Sequence, residues 1–201
     1  MPLDVMVDLE TMGIRVDAAF VSIGAVAFDP FHSPGPASDA LKFYRNVDLQ
    51  SCIDLGLRID GGTVMWWMTK DDEARRALVD PKPVPVVDAL RDFVIWYKRV
   101  TEHRSCVWSH GATFDIPIIS EACLRAGLIS PWTFWMCNDT RTVFRLADWK
   151  LPNADTRGGG HNSLNDAVAQ AAHLQRCIAK LRLAASVAMA REEADPEEVQ
   201  I

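Results

Sequence analysis

Two carboxylates stand two positions apart at the end of an apolar run, Val5-Met6-Val7-Asp8-Leu9-Glu10-Thr11. In an extended chain residues i and i+2 point to the same side, so Asp8 and Glu10 share one face of a strand that ends beside Gly13. A solvated strand edge carrying alternate acids would read the same way. A further acid, Asp115, follows Val107-Trp108 and the small-residue turn Ser109-His110-Gly111-Ala112-Thr113, and opens a helix. There a carboxylate also complements the helix dipole. The third segment, Gly158-Gly159-Gly160-His161-Asn162-Ser163-Leu164-Asn165-Asp166, sets a histidine after three glycines and an acid in the first turn of a helix. Ser163 and Asp166 have the spacing of a capping box, with the serine as cap and the acid at N3. The same residues also fit a mobile glycine loop that delivers His161 to a site where Asp166 binds metal. Gathered into one pocket, these acids repel: at ~4 Å and an effective dielectric of ~20, each like-charged pair costs about 4 kcal/mol. Such a group protonates, spreads apart or binds cations.

The elements that must bring these residues together are legible in outline. Residues 3–8 and 20–29 are rich in β-branched and apolar side chains and read as strands, and 41–48 alternates as a third. Between them 29–40, with its prolines and glycine, is a loop. Short helices are expected over 61–80, closed by Pro81, Pro83 and Pro85. Val87, Leu90, Phe93, Val94 and Tyr97 recur at helical spacing over 86–101. A short strand at 105–109, a helix over 116–127, a strand at 132–137 and a helical piece at 140–147 follow. Residues 150–160 read as a flexible loop. A long helix from 163 to about 184 carries Leu164, Ala167, Val168, Ala171, Leu174, Ile178 and Leu181 on one stripe. The order implies an α/β layer fold in which three antiparallel strands lead and later strands join through helices. The acidic end is expected to fray.

Taken together, a strand with Asp-x-Glu, Phe114-Asp115 at a strand-to-helix junction, and His161 five positions before Asp166 at the head of a late helix resemble the DEDDh 3′–5′ exonucleases. That family includes RNase T, oligoribonuclease and the proofreading subunits of DNA polymerases. Ser22-Ile23-Gly24-Ala25-Val26 resembles its second strand. A closer likeness is to a phage and bacterial 3′–5′ exoribonuclease subgroup, carried by residues 108–115, by Trp66-Trp67 followed by Glu73-Ala74-Arg75, and by Asp139-Thr140-Arg141. The chain departs from the broad family at Gly111, where most members carry asparagine. A tyrosine-type relative would need a tyrosine four positions before Asp166, where Asn162 stands.

The resemblance implies a ribonuclease H-like mixed sheet, three antiparallel strands plus parallel strands flanked by helices, in an exonuclease domain over 1–185 with an acidic tail over 186–201. It implies two Mg²⁺ or Mn²⁺ ions, which all-oxygen ligation suits. Asp8 would bridge them, Glu10 and Asp166 would complete the first ion's shell, and Asp115 would support the second. His161 would be the general base, histidine being the side chain that changes charge near neutral pH. The substrate would be the 3′ end of single-stranded RNA or DNA, with RNA slightly preferred. The products would be nucleoside 5′-monophosphates. Thr11 and Met12, Trp67 as a base-stacking surface, and Arg141 and Arg157 as phosphate contacts are the expected substrate contacts. Trp66 is the alternative stacking residue, and core packing explains either tryptophan equally well. His110 is the rival base, while His32, His103 and His173 read as structural or surface residues and Trp108 as core. Small relatives often form homodimers. The competing reading is a non-catalytic nucleic-acid-binding module of the same fold.

Composition bounds these expectations. The chain has 201 residues, 49% hydrophobic and 24% charged, the proportions of a globular protein with a sizeable core. A net charge of −6 argues against a large basic surface for duplex DNA, but not against a carboxylate-lined nuclease site. The five cysteines form no CxxC pair, which fits a reducing compartment. The first ten residues lack the basic start of a signal peptide, and the longest apolar run, Ala18 to Phe28, is too short to span a bilayer. A cytoplasmic protein is expected, with no membrane partner.

Overall fold

The computed structural model describes residues 2–35, 37–151 and 161–194. Three strands, β1 (Asp4–Thr11), β2 (Phe20–Phe28) and β3 (Lys42–Asn46), form an antiparallel meander. Four helices follow: α1 (Leu49–Asp54), α2 (Gly61–Met68), α3 (Asp72–Ala77) and α4 (Val86–Val100). Strand β4 (Val107–Ser109) then pairs parallel to β1, α5 (Asp115–Arg125) returns, and β5 (Cys137–Asp139) pairs parallel to β4. Helices α6 (Thr140–Leu146) and α7 (Ser163–Ala194) close the fold. The sheet order is β3-β2-β1-β4-β5, the mixed sheet expected from the sequence.

The period-2 alternation of β1 divides the interior. Val5, Val7 and Leu9 enter the larger core, with Leu90 and Phe93 of α4 and Ile118 and Ile119 of α5. Met6 belongs to the other face, with Val26 of β2, Phe144 of α6 and Ala167, Ala171 and Leu174 of α7. Asp8 and Glu10 continue the Met6 face and so meet the start of α7. A register shift between Glu10 and Thr11 bends β1 just past the second carboxylate, a common device beside a functional site.

Helix α7 comes closer to the sheet than any side chain would allow. Asp8 pairs with Gly24 across β1 and β2. A Cβ placed on Gly24 would lie 2.1 Å from both the Leu164 nitrogen and the Ser163 carbonyl carbon. The absence of a side chain at one β2 position therefore seats the head of α7 on the sheet beside Asp8. Ser22 Oγ and Ser163 Oγ, 2.8 Å apart, lock the same contact.

Several elements differ from the sequence expectation. The expected capping box is replaced: Asn162 is the cap, its Oδ1 accepting from Asn165 N at 3.1 Å and its carbonyl from Asp166 N at 2.9 Å. Ser163 bonds Ser22 instead, and Asp166 is one residue too far on to sit at N3. Strand β5 begins only at Cys137, because residues 134–136 form a 3₁₀ turn and Trp132 turns inward to donate to Ser120 Oγ at 3.2 Å. The short α1, capped by Asp48, lies where no helix is expected. Helix α7 runs to Ala194, well past residue 184, so part of the expected tail is helical. The rest of that tail, 195–201, and the glycine-rich segment 152–160 with Arg157 lie outside the described residues. Among the described residues, no helix is long and apolar enough to cross a membrane.

The seat at Gly24 generates a prediction. Gly24→Ala must push α7 from the sheet and is expected to destabilise the protein by about 1–3 kcal/mol or more. Gly61→Ala, at the start of α2 with nothing within 4 Å of its added Cβ, should be neutral or slightly stabilising. Urea unfolding of the two variants beside the parent checks the contrast. Equal midpoints for both would mean that α7 does not depend on Gly24.

Candidate active site

Asp8 and Glu10 reach the site from one strand face, and Asp166 reaches it from the first turn of α7. One carboxylate oxygen from each of the three lies within 4.8 Å of the others, although 158 positions separate Asp8 from Asp166. Glu10, Asp115 and Asp166 are buried and Asp8 is half-buried. Asp115, the first residue of α5, accepts a hydrogen bond from Leu9 N at 3.3 Å, which ties α5 to the β1 segment between the two acids.

Burial and mutual repulsion dominate the electrostatics. Desolvation, then the charges of Asp115, Glu10 and Asp166, hold the Asp8 carboxyl well above the usual carboxylate range, against a hydrogen bond from Gln170. Burial, with Asp166 and Asp115, pushes Glu10 up to about 8, against the nearby Lys70 ammonium. Burial raises Asp115 to about 7, opposed by the Leu9 N–H and by the Arg141 guanidinium. A cluster in this condition is a strong acceptor for cations and a poor environment for a bare phosphate.

His161 stands at φ +62, a left-handed backbone unusual for a residue with a side chain. Its ring meets the rings of Trp66 and Trp67 edge-to-face, with centroids 4.9 and 5.6 Å away. A cavity of about 510 Å³ lies alongside, lined by Glu10, Thr11, Trp66, Trp67 and Phe114 among others. Glu10 thus borders this hollow directly, and His161 packs against its Trp66–Trp67 wall.

Two of the expected substrate contacts are largely buried. Met12 is 7% exposed; its N–H donates to Ala19 O at 2.7 Å and its carbonyl accepts from Asp60 N at 2.7 Å, so both side chain and backbone are committed to the core. Trp67 is 4% exposed, and its indole N–H donates to the Thr11 carbonyl at 3.0 Å. It braces the strand end, while Trp66 is 43% exposed, with the Lys70 ammonium 4.1 Å from its ring centroid. Thr11 lines the cavity, its hydroxyl donating to Gly13 O at 2.8 Å. Arg141 is exposed on α6 near Gly111. Trp108 is half-buried rather than fully core, its indole held by Asp4 Oδ2 at 2.7 Å.

The other histidines do structural work or lie at the surface. His110 Nδ1 is 2.9 Å from Thr140 Oγ1. His173 Nε2 is 3.0 Å from Trp149 O. His32 pairs with Asp29, and His103 is exposed in a turn.

Sequence reasoning missed three residues. Gln170 donates from Nε2 to Asp8 Oδ1 at 2.7 Å. Its spacing of four from Asp166, one turn along the same helix face, was the available signal. Lys70, the cation opposing Glu10, had none. Tyr44, on β3 opposite Gly24, lies within the field of Glu10, and its hydroxyl donates to Asn46 Oδ1 at 2.7 Å. Nothing in its local sequence marks it.

Residues 3–178 match the sequence model of the 3′–5′ exoribonuclease Rv2179c-like domain. The chain belongs to this family. The match places the chain among 3′–5′ exonucleases. An exodeoxyribonuclease of Enterobacteria phage T4 is 27% identical over 97% of this chain and 94% of its own length. The fold is also that of Escherichia coli exonuclease I, solved with single-stranded DNA in a zinc-bound form, at TM-score 0.55 and 16% identity. That superposition covers 86% of this chain and 39% of exonuclease I, so the chain spans well under half of that enzyme. Schizosaccharomyces pombe Pop2p, solved with Mg²⁺ and Mn²⁺, superposes at TM-score 0.50 and 12% identity over 86% of this chain and 81% of its own. These neighbours share the ribonuclease H-like fold.

The raised carboxylates imply a pH signature for the metal-free protein. Glu10 ionises at about 8 when folded and near 4.5 when unfolded, so the native state holds its proton longer. Its contribution to stability is complete below the unfolded value and is lost as pH rises towards about 8. Thermal unfolding in EDTA should therefore show Tm falling across that window. Asp8→Asn, which removes one charge from the cluster, should raise Tm at the alkaline end and flatten the profile. A parent profile that rises with pH, or a variant of lower stability throughout, would contradict the repulsion.

Proposed function

We propose that the protein is a metal-dependent 3′–5′ exonuclease that shortens single-stranded RNA, and DNA less well, to nucleoside 5′-monophosphates. The observation that carries the reading is the convergence of Asp8, Glu10 and Asp166 within 4.8 Å on a buried surface with Asp115 beside them. Buried like charges at that spacing fit hard divalent ions, and a donor set of carboxylate oxygens suits Mg²⁺ or Mn²⁺. Asp8, Glu10 and Asp166 would hold one ion, and Asp8 with Asp115 a second. When bound, the two ions supply Lewis acidity and neutralise charge at the scissile phosphate.

The protein's own groups do the rest. His161 takes the proton of the attacking water as its oxygen bonds to phosphorus. The bond from phosphorus to the preceding nucleotide's 3′ oxygen breaks, and that oxygen takes a proton from solvent. A left-handed backbone at a non-glycine residue costs on the order of 1–3 kcal/mol, a cost that supports a functional reason for the side chain. Trp66 offers a ring for base stacking, worth about 1–3 kcal/mol in single-strand binders. Thr11 borders the terminal nucleotide, and Arg141 supplies a phosphate contact. Gln170, acting through Asp8, is a positioning residue. The family description favours RNA, while the phage relative is an exodeoxyribonuclease.

The test is a panel of RNA and DNA strands with free, blocked or circularised ends, each with Mg²⁺, Mn²⁺ or EDTA. Stepwise shortening from free 3′ ends alone, requiring metal and faster on RNA, is expected. Cutting of a circle, or no cleavage with any metal, would overturn the proposal. Asp8→Asn should abolish turnover. His161→Gly should lower kcat by about 10²–10⁴-fold. Its stability should change little, since relief of the backbone offsets the missing ring contacts with Trp66 and Trp67. Unchanged kcat would remove His161 from the reaction.

A further inference from the structure

A second hollow opens on α6, and its chemistry is opposite to that of the carboxylate centre. It measures about 390 Å³, within the roughly 300–1,000 Å³ of small-molecule sites. Arg141, Arg145 and Lys150 supply three cations to its wall, against the single carboxylate of Asp148. None of the three cations forms an ion pair among the described residues. Arg145, in the last turn of α6, has an ordinary explanation in the helix dipole. That does not account for three cations lining a concavity in a protein of net charge −6.

The hollow is built rather than incidental. Asp148, at φ +46, turns the chain at the end of α6, and Trp149 N donates back to Phe144 O at 3.0 Å. The His173 ring packs edge-to-face on both Phe144 and Trp149, and Lys180 Nζ donates to Ala147 O at 2.6 Å. The turn that carries Trp149 and Lys150 is thereby tied to α7. Aromatic faces with cations at the rim match a base and a phosphate. Arg141 belongs to this wall and also lowers the Asp115 carboxyl, so the hollow adjoins the carboxylate centre.

We propose that this hollow is a nucleoside-phosphate site in which Arg145 and Lys150 hold a phosphate and Trp149 faces the base. The occupant is either a nucleotide of the bound strand away from its 3′ end or a released nucleoside monophosphate. The link to a strand rests on the exonuclease reading of the neighbouring centre.

The test measures fluorescence anisotropy of a labelled single-stranded oligonucleotide in EDTA, with adenosine 5′-monophosphate as competitor. Arg145→Glu/Lys150→Glu should weaken strand binding on the order of tenfold. Arg145→Gln/Lys150→Gln, a milder change that guards against misfolding, should reduce the salt slope by about 0.7 for each phosphate no longer neutralised. Displacement by the monophosphate identifies the free nucleotide as an occupant; strand binding without displacement identifies the strand. With metal present, both double variants should raise KM more than they lower kcat. An unchanged Kd, salt slope and KM in folded variants would overturn the site and leave the exonuclease reading intact. A parent that binds through this hollow yet cuts nothing would sink that reading alone.

Discussion

The structure depends on the direct seating of a helix end on a glycine. With no side chain at Gly24, the first turn of α7 lies against β2 beside its Asp8 pairing partner, and Asp166 is carried to the β1 carboxylates. Concentrating acids in a desolvated place is unfavourable by itself. The opposing stabilisation comes from elsewhere: the same β1 strand that offers Asp8 and Glu10 to one face sends Val5, Val7 and Leu9 into the larger core on the other. The energy that holds the acids together is hydrophobic and lies on both faces of the sheet: the larger core behind the acids, and the smaller core that packs α7 on the face they share.

The beginning of α7 divides its polar work among neighbours. Asn162 caps the helix, Ser163 bonds Ser22, and Gln170 reaches Asp8. Asp166 is therefore relieved of capping and its carboxylate faces the other acids. It also remains in the first turn, where the exposed amides of the helix favour negative charge, typically by about 0.3–1 kcal/mol. That favourable field is small against the repulsion of the neighbouring Asp8 and Glu10 carboxylates, so the centre stays demanding of cations.

What could be read from the sequence follows the range of the interactions. The shared face of Asp8 and Glu10 is fixed by the two-residue period of one strand, and Asp115 at a helix start by its immediate neighbours. Both are legible in the chain itself. So are the meander and the long helix, whose apolar patterns are long. Which of Trp66 and Trp67 is buried is not, because the choice depends on the Thr11 carbonyl at the end of β1, 56 positions away, accepting the Trp67 indole. Met12 escapes for a like reason: its place after the first motif is local, but its burial and its backbone bonds to Ala19 and Asp60 are tertiary. The aromatic run at 132–137 carries β-propensity that packing overrides, since propensity in strands reflects fit to a surface more than backbone preference.

The departure at Gly111 joins the two halves of the site. Gly111 has φ +121, and a Cβ there would lie 2.8 Å from Arg141 Nη1. An asparagine, the usual residue in the broad family, would meet both a backbone that disfavours it and a guanidinium in its space. Asp139 holds the arrangement, its carboxylate accepting from Ala112 N at 2.8 Å and from Arg141 N at 2.7 Å. The loop that presents Asp115 and the helix that carries the cations are thus fastened through one carboxylate, with Arg141 laid over the glycine between them. The glycine and the arginine are two sides of one structural choice: a side chain is given up in the loop so that a cation can stand between the acidic centre and the basic hollow.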